Sequence, residues 1–167
     1  TVFNIVEDSK GNTWFCTVQS GLFLFSGGKL KNYTTANGFK SNYIYSIIQR
    51  GTTNYWISTH EGLYNLENEK ITQVKVPGTL SEITFYEFCK DDAGNLWVGS
   101  SEGVFKYRNG EFTKFKKSNG LVDNNIWKII QDREGNMWFA SKTNGLSKLS
   151  SEMFYSYNIR DSLPDDN

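Results

Sequence analysis

The sequence predicts an all-β chain made of four similar sheets, and three observations carry that prediction. A Trp recurs at 14, 56, 97 and 138, so successive copies are offset by 42, 41 and 41 residues. Each Trp opens a short β-prone run that leads to a Gly and a new apolar stretch: "GNTWFCTVQSGLFLF" (11–25), "NYWISTHEGLYNL" (54–66), "GNLWVGSSEGVFKY" (94–107) and "GNMWFASKTNGLSKL" (135–149). No copy shows the 3.6-residue spacing of an amphipathic helix. A fixed period of this size points to a repeat architecture rather than an irregular domain.

Within each copy the elements follow in the same order. The first strand is "VFNIV", "IYSII", "FYEFC" or "IWKII" (2–6, 44–48, 85–89, 126–130), largely apolar on both faces, as expected of a strand packed on two sides. A turn follows, "DSKGN", "DDAGN" or "DREGN". There Asp8, Asp91 and Asp132 are placed to accept hydrogen bonds from amides of their own turn, and Gly11, Gly94 and Gly135 supply the positive φ of a tight hairpin. The second copy reads "RGTTNYW", with Arg50 and Thr53 in those positions, so its turn is expected to be looser or differently bonded. The second strand begins at Trp14, Trp56, Trp97 or Trp138, all assigned to the core. Two residues on stand Cys16, Ser58, Gly99 and Ala140, a slot that wants a small residue. A second turn ends at Gly21, Gly62, Gly103 or Gly145, and a third strand follows. The fourth strand, "KLKNY", "KITQV", "EFTKF" or "MFYSY", is the most polar. Apolarity thus falls from an inner first strand to an outer fourth one. Four antiparallel strands per period is the pattern of a β-propeller blade. The blades are read as 1–42, 43–82, 83–124 and 125–167, the last including the joint "SLPDDN" to a further blade.

The recurring "D-x-x-G-N-x-W" turn, the Gly-Leu or Gly-Val pair and the stretch "NGLVDNNIWKIIQD" (119–132) resemble the two-component-regulator propeller repeat. The WD dipeptide of WD repeats and the double Gly of kelch repeats do not fit. The resemblance implies the periplasmic sensor region of a hybrid two-component histidine kinase, the extracytoplasmic part of an inner-membrane protein. It implies recognition of an oligosaccharide and control of polysaccharide-use genes. It also implies a ring of about seven blades, roughly 290 residues at this period, so the four consecutive blades are read as part of a larger propeller whose remaining blades are their partners. A closed four-bladed ring, or a homodimer completing one ring, is the alternative.

Charge balances at 18 basic against 18 acidic residues, which argues against a nucleic-acid surface. No apolar stretch approaches the roughly 20 residues of a membrane-spanning helix, and no charged-then-apolar leader opens the chain. Cys16 and Cys89 are read as small apolar fillers rather than a disulfide or metal pair. With His60 the sole histidine, no triad, no metal site and no cofactor are expected.

In a propeller the loop before each first strand and the loop between the second and third strands share one face, around the channel. Those loops offer Asn42, Tyr43, Asn124, Asn125, Gln19, His60, Glu61, Ser101, Glu102, Lys142 and Asn144, whose groups suit sugar hydroxyls or carboxylates; the alternative is an ordinary solvated loop. The second position of each first strand is aromatic: Phe3, Tyr45, Tyr86 and Trp127. These rings suit either sugar stacking or packing between blades. The next position is polar: Asn4, Ser46, Glu87 and Lys128, with Glu87 expected to face the channel or to pair with Lys128.

Three functions compete. The preferred one is a sensor module without chemistry of its own, taking an oligosaccharide or making dimer contacts; the segment lacks a phosphate loop and a kinase motif. The second is a propeller glycoside hydrolase or lyase, for which Glu61, Glu102 and Glu87 are the carboxylates to consider. The third is a scaffold for protein contacts. Gel filtration separates the assemblies: elution as a compact monomer at low and high concentration counts against two chains sharing one ring.

Overall fold

A computed structural model describes residues 1–79, 83–151 and 153–158. The joint "SLPDDN" lies outside them. The described residues form sixteen strands in four sheets. The first sheet is β1 (Val2–Glu7), β2 (Thr13–Thr17), β3 (Leu22–Ser26) and β4 (Lys29–Tyr33). The second is β5 (Ile44–Gln49), β6 (Asn54–Thr59), β7 (Gly62–Glu67) and β8 (Lys70–Gln73). The third is β9 (Phe85–Lys90), β10 (Leu96–Ser100), β11 (Gly103–Arg108) and β12 (Glu111–Phe115). The fourth is β13 (Ile126–Gln131), β14 (Met137–Ser141), β15 (Leu146–Ser150) and β16 (Met153–Tyr157). Each sheet is ordered as its strands occur in the chain, the antiparallel meander of a propeller blade. The chain divides into two compact units, Thr1–Tyr86 and Glu87–Asn167.

The turn Asp is the organising group. Asp8 accepts hydrogen bonds from the Lys10 and Asn12 amides at 2.9 and 3.0 Å. It also accepts from the Asn12 side chain and from the Trp14 indole, both at 3.0 Å. Asp91 and Asp132 repeat the bonds to Asn and Trp, with indole distances of 2.8 and 2.7 Å. The turn carboxylate therefore fixes the rotamer of the Trp six residues later and seats the hairpin on its own core. Arg50, in the odd copy, accepts no such bond. Its amide still donates to Asn54 O at 2.8 Å, matching the Asp8-to-Asn12 closure, and its guanidinium lies 4.0 Å from the centre of the Trp56 ring. The turn is differently bonded: its closure is retained, and the cation over the ring is a contact that Trp97 and Trp138 also make, with Lys106 and Lys148, beside their Asp bonds.

In unit one, β2 packs on β5, and Trp14, Cys16, Ile47, Tyr55, Ile57 and Tyr64 belong to one buried cluster. In unit two, β10 packs on β13, and Trp97, Val104, Ile126, Ile129 and Phe139 form another. The small-residue slot has a backbone reason: a Cβ at Gly99 would sit 2.3 Å from Ile126 O. Polar bonds also join neighbouring sheets within a unit. Tyr55 donates to Asp8 at 2.7 Å, Gln49 accepts from the Ser9 amide at 2.9 Å, and Gln131 accepts from the Asp92 amide at 2.8 Å.

One expectation fails. First strands are expected to be buried on both faces, yet β1 is largely exposed and Ile130 of β13 is exposed as well. Ile5 is 61% exposed, whereas its counterparts Ile47 and Ile129 are 4% and 3% exposed. Ile47 and Ile129 cluster with Trp14 and Trp97, each from the sheet before their own. Within unit one no sheet packs on that side of β1 as the first sheet packs on Ile47.

Burial opposes ionisation of Asp8 and Asp91, but the side-chain and backbone donors outweigh it and hold both carboxyls below the ordinary range. At Asp132 the Trp138 indole leads the donors that lower the carboxyl to about 2. Stability from such depressed groups is complete above the unfolded value of about 3.9 and is lost as pH falls through the folded values. Thermal unfolding followed by circular dichroism should therefore show a melting temperature that drops between about pH 4 and pH 2. That drop should be smaller in Asp8→Asn. Asp8→Ala strands the Trp14 and Tyr55 donors and should cost about 3 kcal/mol in urea denaturation at neutral pH.

Candidate functional site

The aromatic column is set by backbone irregularity. In β1, β5 and β13 the register against the second strand slips across the second residue, which is Phe3, Tyr45 or Trp127. A bulge there takes that residue out of the ladder and re-aims its side chain. In unit one, Phe3 and Tyr45 rings lie 5.0 Å apart, and Tyr45 meets Tyr86 edge-on at 5.3 Å. Burial pushes the Tyr45 hydroxyl proton's release upward, so the phenol is a neutral donor. In unit two, the Trp127 indole donates to Asn125 Oδ1 at 3.1 Å, and Lys142 Nζ sits 4.9 Å from the ring centre.

The loop between second and third strands is closed by a hydroxyl in every copy. Thr17, Thr59, Ser100 and Ser141 donate to the carbonyls of Gly21, Gly62, Gly103 and Gly145 at 2.6, 2.9, 2.9 and 3.0 Å. The following amide ties the loop to the start of the first strand. Val18 donates to Thr1 O, His60 to Tyr43 O and Lys142 to Asn125 O, at 3.0, 3.1 and 3.0 Å. Those bonds bring the two predicted loop sets together within a sheet. The sequence pattern contains this clamp as the invariant Ser or Thr three residues after each Trp.

The candidates fall into distinct groups. In unit one, Gln19 donates to the Tyr43 hydroxyl, and Tyr43 lies 5.9 Å from the His60 ring. Thr84 donates to the His60 carbonyl at 2.9 Å, and the Glu61 amide donates to Thr59 at 3.1 Å. In unit two, Asn125, Trp127, Lys142 and Asn144 gather with Asp123, whose carboxylate accepts from the Asn144 amide group at 2.6 Å. Glu102 stands apart, in an ion pair with Lys114 at 2.6 Å, and Glu87 pairs with Lys128 at 2.7 Å. Asn42 and Asn124 are joint holders. Their side-chain oxygens accept from the Thr35 and Lys117 amides at 2.9 and 2.8 Å, fixing the short 3-10 turns Thr35–Asn37 and Lys117–Asn119.

Two features escaped the sequence reading. Asp123 is one, and its signal in the sequence is an acid before two Asn. A cleft of about 350 Å³ in unit one is lined by Lys40, Gln73, Lys75 and Phe85 among others. It forms at the joint "VKVPG", where the "NG" turn of the other joints is missing, and that departure was the available clue. Among the described residues no three His, Cys, Asp or Glu side chains are grouped to hold a metal ion.

The sequence pattern named "Two component regulator propeller" matches residues 120–143, which hold Trp127, Asp132, Trp138 and Lys142. That stretch is similar to a two component regulator propeller repeat. Solved structures extend the likeness of the fold to the whole chain. An extracellular domain assigned to a hybrid two component system of B. thetaiotaomicron superposes with a TM-score of 0.76 at 21% identity, over 99% of this chain and 22% of that one. A second extracellular domain from the same organism, assigned to a one component system, gives 0.76 at 24% identity over the same shares. The virginiamycin B lyase of Staphylococcus aureus gives 0.71 at 20% identity, over 95% of this chain and 56% of that one. The chain thus spans about a fifth of the length of the two B. thetaiotaomicron domains. No curated protein matches it in sequence. In the structure Asn124 holds the Lys117–Asn119 turn and Lys142 is exposed. Asn124→Ala should accordingly lower stability by about 1 kcal/mol, and Lys142→Ala should change it by less than about 0.5 kcal/mol, in urea titrations followed by Trp fluorescence.

Proposed function

We propose that this chain is part of an extracytoplasmic sensor propeller whose loop face takes an oligosaccharide and whose parent protein signals to a histidine kinase. The observation that carries the reading is the two component regulator propeller match at 120–143, supported by the fold shared with extracellular domains assigned to a hybrid two component system and to a one component system. The loop chemistry agrees with it. Aromatic rings turned out by bulges stand beside amides, hydroxyls and an ammonium, the mixture a polyhydroxylated ligand uses. In this reading the segment does no chemistry, and binding shifts an equilibrium between kinase-off and kinase-on arrangements of the whole protein.

The test uses the full-length gene product in its own cells. Alkaline phosphatase inserted into the 26–29 turn should be active, and surface labelling should reach this segment from the periplasmic side. An oligosaccharide that binds should change kinase autophosphorylation in membranes. An inactive insertion, or a binding oligosaccharide that leaves autophosphorylation unchanged, overturns the sensor reading. Glycosidic or lactone bond cleavage by the purified protein overturns it in favour of an enzyme.

A further inference from the structure

Lys142, Trp127, Asn125, Asn144 and Asp123 form the most complete group of side chains on the loops of the described residues. We infer that this group, on the fourth sheet, is a subsite for an acidic saccharide, a pyranose carrying a carboxylate or a sulfate. The inference rests on the sensor reading and adds the charge of the ligand and the place where that charge is met.

Four observations lead there. First, Trp127 is the bulged residue of β13, so its ring is aimed by the backbone rather than by chance packing of a regular strand. Second, its orientation is fixed by the bond from its indole to Asn125, and the same Asn125 holds Lys142 through its carbonyl. One residue thus fixes the flat ring and the backbone from which the cation extends. Third, Lys142 is exposed, and among the described residues no carboxylate lies within ion-pair distance of its ammonium, whereas Lys31, Lys114 and Lys128 each have one. Fourth, the nearby acid is already occupied: Asp123 takes the Asn144 side chain at 2.6 Å and the Asn124 amide at 2.7 Å. Its charge is directed into the loop, and Asn144 keeps its carbonyl side for a ligand hydroxyl.

The counterparts of Lys142 show that the cation is particular to this sheet. Val18, His60 and Ser101 stand at the same position after their loop-closing Thr or Ser. A saccharide that meets Trp127 also meets the ammonium lying over that ring, which favours an anionic substituent over a neutral one. An exposed pair of this kind changes affinity modestly, and its contribution falls with salt.

The experiment is calorimetric titration of the purified chain with tetragalacturonate, tetramannuronate and a sulfated galactose tetramer. Each is run beside its neutral counterpart, methyl-esterified or desulfated. At least one acidic tetramer should bind more tightly than its neutral form, and the preferred member distinguishes carboxylate from sulfate. Lys142→Gln should weaken that tetramer about fivefold and leave the neutral form unchanged, and the difference should shrink from 50 to 500 mM salt. Trp127→Leu, with its melting temperature checked, should weaken both. Equal binding of acidic and neutral forms, or no effect of Lys142→Gln, overturns the charge selection while leaving the saccharide sensor in place. Binding of none of the six overturns the subsite, and the membrane autophosphorylation assay then judges the sensor reading separately.

Discussion

An ionised carboxylate that holds an indole is the contact on which the rest of this structure depends. In three of the four sheets the Asp of the first turn binds the Asn four residues on and the Trp six residues on. The geometry joins two decisions that are usually separate. The turn type fixes how the first and second strands pair, and the indole bond fixes how that hairpin sits on the core. Because the charge is engaged by several donors at once, it tolerates burial that an unpaired carboxylate would not. The second sheet forms without that carboxylate. Arg50 lies over Trp56 as Lys106 and Lys148 lie over Trp97 and Trp138, so in the second sheet the cation on the ring and the backbone closure remain while the anion at the indole is gone.

From that anchor the loop face follows. The first and second strands are held rigidly at the turn end, and the slip of register near their other end leaves one side chain out of the ladder. An aromatic residue, Phe3, Tyr45 or Trp127, occupies that place in each of these three sheets. Nearby, the Ser or Thr hydroxyl closes the next loop and the following amide ties it to the strand entrance. Two loops distant in sequence are thereby brought together by backbone bonds, to which side-chain bonds such as Gln19 to Tyr43 and Asn144 to Asp123 are added. The polar residues inside the first strands are accounted for in the same way: Asn4 donates to Ser46 within unit one, and Lys128 to Glu87 within unit two.

The contacts between consecutive sheets within a unit are a mixture of apolar burial and directed bonds. Burial under the preceding sheet explains why Ile47 and Ile129 are covered and Ile5 is not. The directed bonds, Tyr55 to Asp8 and the paired glutamines to the turn ahead of them, set the register of one sheet on the next. A repeat built this way gains its core only by stacking, so each added sheet completes the one before it.

By itself the sequence determined the four sheets, their strand order and the turn that opens each hairpin. These depend on local patterns: a period of about 40 residues, Gly at positive φ, an Asp followed by Gly-Asn and Trp, and a fall in apolarity from first strand to fourth. Pairs such as Glu87 and Lys128 were legible too, because equivalent positions in neighbouring repeats stand side by side. Tertiary structure alone decided what each loop side chain does. Asn42 and Asn124 look like their neighbours Tyr43 and Asn125 in the sequence, yet their carbonyls hold a 3-10 turn, while Asn125 orients an indole and holds the backbone of a lysine. The indole-to-Asp bond, the bulge under the aromatic column and the exposure of β1 were likewise settled only in space. A hydrogen bond depends on ångström-scale distance and angle, and a strand's burial depends on what lies beside it, neither of which a local pattern encodes.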